Sequence, residues 1–298
     1  MKVGFSTKLS FDISGKHNFF KRLSEQFKKL GITIDNKRPD INIFLPGDNI
    51  CKNSKNVLRL NGLIIDKNVD YKSKNNKILR SIQQSDAIVY QNEFCKLAYS
   101  RFLKVNKKPN ACILNGASQS EFLPRQQKNY FLANCKWRPH KRLKDIIDSF
   151  VIAISMGLDA DLVVTGEANY VVNNDRIKYI GWQTQSELKK LLSEAVATIH
   201  LSWIDWCPNA MVESVVAKCP VIYSDSGGHP YIGSKCGISI SDTQWDFLPC
   251  DYYHPPQISL QEVAQAMCNI SKLDHDICNE NVYIENVAKQ YLDFFEKI

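Results

Sequence analysis

The chain has 298 residues, 44% of them hydrophobic and 23% charged, which allows about two domains with buried cores and excludes wholesale disorder. No stretch approaches the ~20 apolar residues needed to span a bilayer. Charge is uneven: residues 1–124 carry 22 Lys and Arg against 10 Asp and Glu, and the remainder carries 16 against 21. A solvated lysine face is the commoner reading of any one cluster, but the asymmetry as a whole leads us to expect an anionic partner for the first half.

The opening MKVGFSTKLSFD has no long apolar run and reads as a first strand, not a signal peptide. The ten cysteines include no C-x-x-C pair and read as reduced core residues. Both point to a cytoplasmic protein. Short apolar runs alternate with amphipathic patterns, as parallel α/β domains require. Strands are expected at Lys2–Phe5, Ile41–Leu45, Val57–Leu60, Ala87–Tyr90 and Ala111–Leu114, with a helix over His17–Leu30 stopped by Gly31. The polar LPRQQK of Leu123–Lys128 reads as a linker.

A second set follows, with strands at Tyr130–Ala133, Leu162–Thr165, Ile177–Ile180, Thr198–Leu201, Val221–Tyr223 and Gly237–Ile240. Its helices are expected at Leu143–Met156, Ser186–Glu194 and Asn209–Lys218. Ser259 and Glu262 have the spacing of a capping box before a further helix, and a last amphipathic helix spans Asn281–Lys297. The domains are therefore expected at 1–124 and 125–280, with 281–298 packing back on the first.

The chemistry concentrates in LSWIDWCPNAMVESVVAKCPVIYSDSGG, Leu201–Gly228. Pro208 fits the first position of a helix, where its missing N–H costs nothing. The exposed amides of a helix start favour an anion such as a phosphate. Glu213, one turn inside, could accept two hydrogen bonds from a vicinal diol such as a ribose; the plainer reading is a carboxylate that caps the helix or pairs with a base. WRPHKR, just after an apolar strand, supplies cations before a helix, although such runs are commonly solvated turns.

At this point the sequence resembles glycosyltransferase family 4, a group of retaining enzymes with the GT-B fold. DWCPNAMVE, CPVI and SGGHP resemble its Glu-x7-Glu, G-x-P-V-V and G-G-x-P-E motifs. NCKWRPHKRL resembles G-R-x-x-x-x-K-G, and LVVTGE resembles the next strand and turn. In the first half, SGKHNFF resembles the glycine loop near the sugar, VLRLNG an H-R-x-D/N-G stretch, SDAIVYQNEF an A-D-A-x-V-x-Q-S-x-F stretch and ILNGASQSEF an I-x-N-G-V-D stretch.

The resemblance implies an α/β GT-B protein, with two Rossmann-like domains facing across a cleft, that moves a sugar from a nucleotide-diphosphate donor to a glycan or lipid-linked acceptor. It implies Lys136 and Lys141 on the diphosphate and Asp205 by the transferred sugar. Glu213 would hold the ribose, and Gly15, Gly166, Pro208, Asn209, Gly227 and Gly228 would complete the donor site. No metal and no separate cofactor are expected. The Asp159-Ala160-Asp161 D-x-D falls in a helix-to-strand turn and reads as a decoy. The basic first domain suggests a peripheral anionic membrane contact; the lack of an aromatic-interleaved motif speaks against nucleic acid. Departures from the pattern are Asp205 for Glu, Tyr231 for Glu, and Asn61 where a histidine is common. They keep two alternatives open: a catalytically weak nucleotide-sugar-binding module, and a GT-B sugar-nucleotide epimerase.

Overall fold

The computed structural model describes residues 1–6, 15–105, 108–272 and 278–298. It divides into two compact units. The first comprises Met1–Ala117, Asp246–Cys250 and Asn281–Ile298, and the second Ser118–Trp245 and Asp251–Glu280.

In the first unit, strands β1 (Lys2–Phe5), β2 (Thr33–Ile34), β3 (Ile41–Phe44), β4 (Lys55–Leu60), β5 (Ala87–Tyr90) and β6 (Asn110–Cys112) form one parallel sheet. Its order is β2-β1-β3-β4-β5-β6. β3 and β5 are buried at every position, as central strands of a sheet covered on both faces must be. Helix α1 (Gly15–Lys29) lays Phe19, Phe20, Leu23 and Phe27 into the core. It ends at Gly31, whose φ of +78° is the left-handed conformation that glycine adopts without a Cβ penalty. The Ile32 N–H then closes the turn onto the Phe27 carbonyl at 2.9 Å. Helices α2 (Tyr71–Gln84) and α3 (Glu93–Leu103) are capped by Asp70 and Asn92, whose side chains accept from Ser73 N–H and Cys95 N–H.

The second unit has six parallel strands: β7 (Tyr130–Asn134), β8 (Asp161–Thr165), β9 (Ile177–Gly181), β10 (Thr198–His200), β11 (Val221–Ser224) and β12 (Gly237–Ile240). Their order is β12-β11-β10-β7-β8-β9. Helices α4 (Leu143–Ser155), α5 (Gln185–Glu194), α6 (Asn209–Val216), α7 (Pro230–Gly233) and α8 (Leu260–Asn269) cover it. α4 and α8 bury Ile146, Ile147, Phe150, Val263 and Met267 against Phe131, Leu162 and Ile222.

Three local expectations are corrected. Pro208 is the residue before α6, not its first helical residue: at ψ 115° it caps the helix from extended backbone, and α6 starts at Asn209. Ser259 caps α8 by accepting from Glu262 N–H at 3.2 Å. The Glu262 carboxylate, however, accepts from Ser241 N–H at 3.1 Å, so it ties β12's exit to the helix instead of closing a box. The 123–128 segment is not a loose tether. Arg125 donates to the carbonyls of Leu192 (2.8 Å) and Ala195 (2.7 Å) and fixes the segment to the second unit.

The last helix, α9 (Ile284–Phe295), belongs to the first unit and packs Val287, Tyr291, Phe294 and Phe295 into its core beside α1. Arg59, one residue before the end of β4, is fully buried there. Its guanidinium donates to Tyr291 Oη at 2.6 Å, to the Ile113 carbonyl at 3.3 Å and to Asn115 Oδ1, and lies 4.2 Å from the Phe19 ring centre. A buried charge with no acid beside it among the described residues needs such dispersed compensation.

Candidate functional site

The sheet order of the second unit reverses at β7, which has β8 on one side and β10 on the other. In open parallel sheets the loops leaving the strand C-termini at such a reversal form a ligand crevice. Here they are the loops after β7 (135–142) and after β10 (201–208).

The loop after β7 ends in a 3-10 turn at Pro139–Lys141, followed by Arg142 in the left-handed region at φ +59°. The Arg142 guanidinium fastens the turn. It donates to both oxygens of Asp242 (2.6 and 3.0 Å), to the Leu201 carbonyl at 3.1 Å and to the Pro256 carbonyl at 2.7 Å. Both side chains of this ion pair are fully buried, so removing either one would strand a charge in the interior at about 3–5 kcal/mol.

Arg142 thereby sets Lys141. The Lys141 ammonium pairs with Asp205 Oδ2 from the other loop, and each side chain is only 16% exposed. Burial pulls the Lys141 pKa down, but the Asp205 charge more than offsets it and leaves the group raised. Burial likewise pushes Asp205 up, and Lys141 overrides it, so the carboxyl sits well below the usual range. The pair is charged across the neutral range.

The loop bearing Asp205 is held backbone to backbone. Gly228 N–H donates to the Asp205 carbonyl at 2.7 Å. Gly227 has φ +70°, and a Cβ there would stand 2.6 Å from the Asp205 oxygen and 2.9 Å from its nitrogen. Only glycine allows this approach. Ile204, a β-branched residue at φ +54°, is a strained neighbour. Its N–H donates to Ser226 Oγ at 3.1 Å, and its carbonyl accepts from Tyr252 Oη at 3.0 Å. Asn209 and Glu213 lie half-buried in the first turn and a half of α6, which leaves from this loop.

Three buried histidines that the motif reading did not single out surround the pair. His140 stacks on Tyr252 with ring centres 4.3 Å apart, and burial depresses it to about 3. His200, at the end of β10, bonds Thr198 Oγ1 at 3.0 Å and is likewise depressed to about 3 by burial. His229 is wholly buried and lowered by the same cause. Asn134 Oδ1, His140 Nδ1 and His229 Nε2 are buried without a hydrogen-bond partner among the described residues. All three belong to segments at or just beyond the C-terminal edge of this sheet. Asn134 and His140 fall within NCKWRPHKRL and His229 within SGGHP, whereas His200 lies outside every motif.

The remaining expected residues scatter more. Lys136 lies exposed in the loop after β7, with no ion pair among the described residues. Gly166 has φ +80°, and a Cβ there would collide with the Cys135 carbonyl oxygen, so it lets β8's exit pass under the loop that carries Lys136. Trp137 Nε1–H donates to the Thr165 carbonyl at 2.7 Å and closes the same contact. Gly15 is the first residue of α1 in the other unit, and Ser14 of the same stretch lies outside the described residues. The Asp159/Asp161 pair holds Arg176 at 2.6 and 3.4 Å. No group of three or more metal-ligating side chains occurs among the described residues. A cavity of about 410 Å³ lined by Asn129, Asp159, Met267 and Lys272 lies at the opposite, N-terminal edge of the sheet, away from this constellation.

These two sheets and their order are those of GT-B glycosyltransferases, and the chain has that fold. Sucrose-phosphate synthase from Thermosynechococcus elongatus superposes with a TM-score of 0.70 at 13% identity, over 100% of this chain and 98% of that one. Anabaena Alr3699/HepE, solved with UDP and glucose, superposes with a TM-score of 0.64 at 11% identity, over the whole of both chains. In sequence, the chain is similar to the O-antigen chain mannosyltransferase RfbU of Salmonella typhimurium, at 25% identity over 158 residues. That segment spans 49% of this chain and 44% of the relative, less than half of either. No protein-family model matches the chain.

Proposed function

We propose that the chain is a retaining, nucleotide-sugar-dependent glycosyltransferase of the family 4 type. The observation that carries this reading is the Lys141–Asp205 ion pair at the sheet reversal, clamped by Arg142 on one side and by the Gly227–Gly228 turn on the other. A preset cation beside a helix start suits a diphosphate leaving group, whose charge grows as the glycosidic bond breaks. In this reading Lys141, helped by Lys136, stabilises the departing nucleotide. Glu213 accepts the ribose hydroxyls, Asn209 lies at the helix start, and Asp205 positions the sugar. Gly227, Gly228, Gly166 and Pro208 shape the loops of this donor site. Leaving-group stabilisation by Lys141 is, in this reading, the main source of rate.

The relatives support the donor and acceptor classes: HepE was solved with UDP and glucose, and RfbU is named an O-antigen chain mannosyltransferase. By analogy the acceptor here is a glycan or lipid-linked glycan. No metal or separate cofactor enters the proposal. The exposed cations of α2 are the place where the first unit would meet an anionic membrane from the cytoplasmic side.

The test is a thermal-shift panel of nucleotide sugars including UDP-glucose and GDP-mannose, followed by product analysis. A donor present at ~100 times its Kd adds about 2.7 kcal/mol, or roughly 5–10 °C. A hit that turns over with retained anomeric configuration supports the proposal, whereas a panel without any shift sinks it. Tyr231, 41% exposed where the family pattern has an acid, favours a second reading as a binding module. That reading predicts the same shift with no transfer and no donor hydrolysis.

A further inference from the structure

We infer that His229 is a positioning residue that takes up a proton when an anion draws Lys141 away from Asp205, and that it then serves as the counter-charge of that carboxylate. The identity of the anion rests on the donor reading above; the device itself rests on geometry.

His229 follows the Gly227–Gly228 turn and has no exposed surface. Its Nδ1 lies 2.7 Å from the Ser226 carbonyl, which can only accept, so Nδ1 carries the hydrogen. In the neutral ring Nε2 is then a bare lone pair, buried and without a partner among the described residues. Orphaned buried acceptors of this kind are rare and call for an explanation. The loop cannot drift away from Asp205, because the Gly228–Asp205 backbone bond holds it.

The charged and titratable groups whose fields act on the ring come from four places. They are Asp205 after β10, His200 at the end of β10, Lys141 in the 3-10 turn and Asp242 after β12. Burial and the Lys141 ammonium oppose a second proton, while Asp205, the Ser226 carbonyl and Asp242 favour it. Asp242 is already committed to Arg142. Asp205 alone is left uncompensated when Lys141 turns to a diphosphate.

The bookkeeping of charge closes. Before binding, Lys141⁺ and Asp205⁻ cancel and His229 is neutral. After binding, Lys141⁺ serves the ligand, and one proton from the buffer on Nε2 makes His229⁺ the partner of Asp205⁻. Without that proton the interior would hold a lone carboxylate, which is costly. Anion binding is therefore coupled to proton uptake at this one ring.

Two measurements test the inference. Imidazole NMR should find the His229 midpoint below the ordinary histidine value of about 6.5 in the wild type, and raised above it in Lys141→Met. Calorimetry of UDP and GDP binding at pH 6.5, in buffers of different ionisation enthalpy, should show greater proton uptake by the wild type than by His229→Asn. Asparagine retains the bond to the Ser226 carbonyl but cannot titrate, and the difference removes protons exchanged by the nucleotide itself. An unmoved midpoint in folded Lys141→Met, or equal uptake by wild type and His229→Asn, overturns the inference. Failure of both nucleotides to bind, with the midpoint shifted, overturns the donor reading alone.

Discussion

Lys141 and Asp205 each satisfy the other in this structure, so each substitution has two consequences. Lys141→Ala should lower the single-turnover rate more than it weakens binding of intact donor, because only contacts that strengthen in the transition state raise the chemical rate. A paired measurement of donor Kd and saturated rate decides the point. Losses confined to binding would make Lys141 a mere anchor. Glu213→Gln removes the charge that would strengthen both ribose bonds, at ~1–3 kcal/mol, so donor affinity should fall roughly five- to hundred-fold. Unaltered affinity in a folded variant would end the ribose assignment. Gly227→Ala puts a Cβ 2.6 Å from the Asp205 oxygen at a positive φ. It should destabilise the second unit by about 1–3 kcal/mol and weaken donor binding as well. Urea midpoints with a parallel binding curve would show whether both follow. The acid-and-cation skeleton of the site was legible because its motifs constrain residue type at fixed spacing. Arg142 and Asp242 were not, since they meet across 100 positions of chain and only the folded sheet brings them together.

Helix α2 carries the most one-sided charge of any element. Its sequence YKSKNNKILRSIQQ contains no acid, and Lys72, Lys74, Lys77 and Arg80 are all exposed. Juxtamembrane cations contribute about 1 kcal/mol each near anionic lipid, less as salt screens them. Lys72→Glu/Lys77→Glu should therefore reduce co-sedimentation with phosphatidylserine vesicles at least tenfold at low salt and leave the melting temperature unchanged. Equal sedimentation of variant and wild type would remove this surface from consideration. The sequence patterns that foretold elements were those with strong period: β1, β5, β12 and α1 stand where the alternation and the Gly31 stop put them, to within two residues. β2 escaped because two residues are too short for any period. α2 escaped because polar and basic residues dilute its apolar stripe, and α3 because Phe94, Leu97, Tyr99 and Phe102 spread around the helix and leave no single apolar face to read. Pro208 was misplaced by one position because its fixed φ of −66° suits both a cap and a first helical residue; only ψ distinguishes them.

At the scale of the whole molecule, acid stability separates the histidines from the ion pair. Asp205 has a depressed folded pKa, so its contribution is complete above the unfolded value of about 3.9 and disappears only as pH falls through the folded value. Lys141, raised, keeps its contribution throughout the acid range and loses it only in strong alkali. His140 and His200 behave differently. Both are held neutral by burial, at about 3, while the unfolded chain binds their protons below about 6.5. Between those values the unfolded state carries more protons, so stability must fall as pH falls. Each histidine contributes a slope of roughly 1.4 kcal/mol per pH unit once well below 6.5. His229, lowered by the same burial, adds to the trend. The loss between pH 6 and pH 5 therefore belongs mainly to the histidines, because carboxylates lowered in the fold, Asp205 and Glu187, take up protons in the unfolded chain chiefly below pH 5. Urea unfolding of the second unit's transition at pH 7, 6, 5 and 4.5 should show a steady decline. His140→Gln should flatten that decline by about one histidine's share while lowering stability at pH 7, where the Tyr252 stack is lost. A profile that stays level from pH 7 to 4.5, or one that His140→Gln leaves equally steep, would mean that the buried rings reach solvent before the unit unfolds.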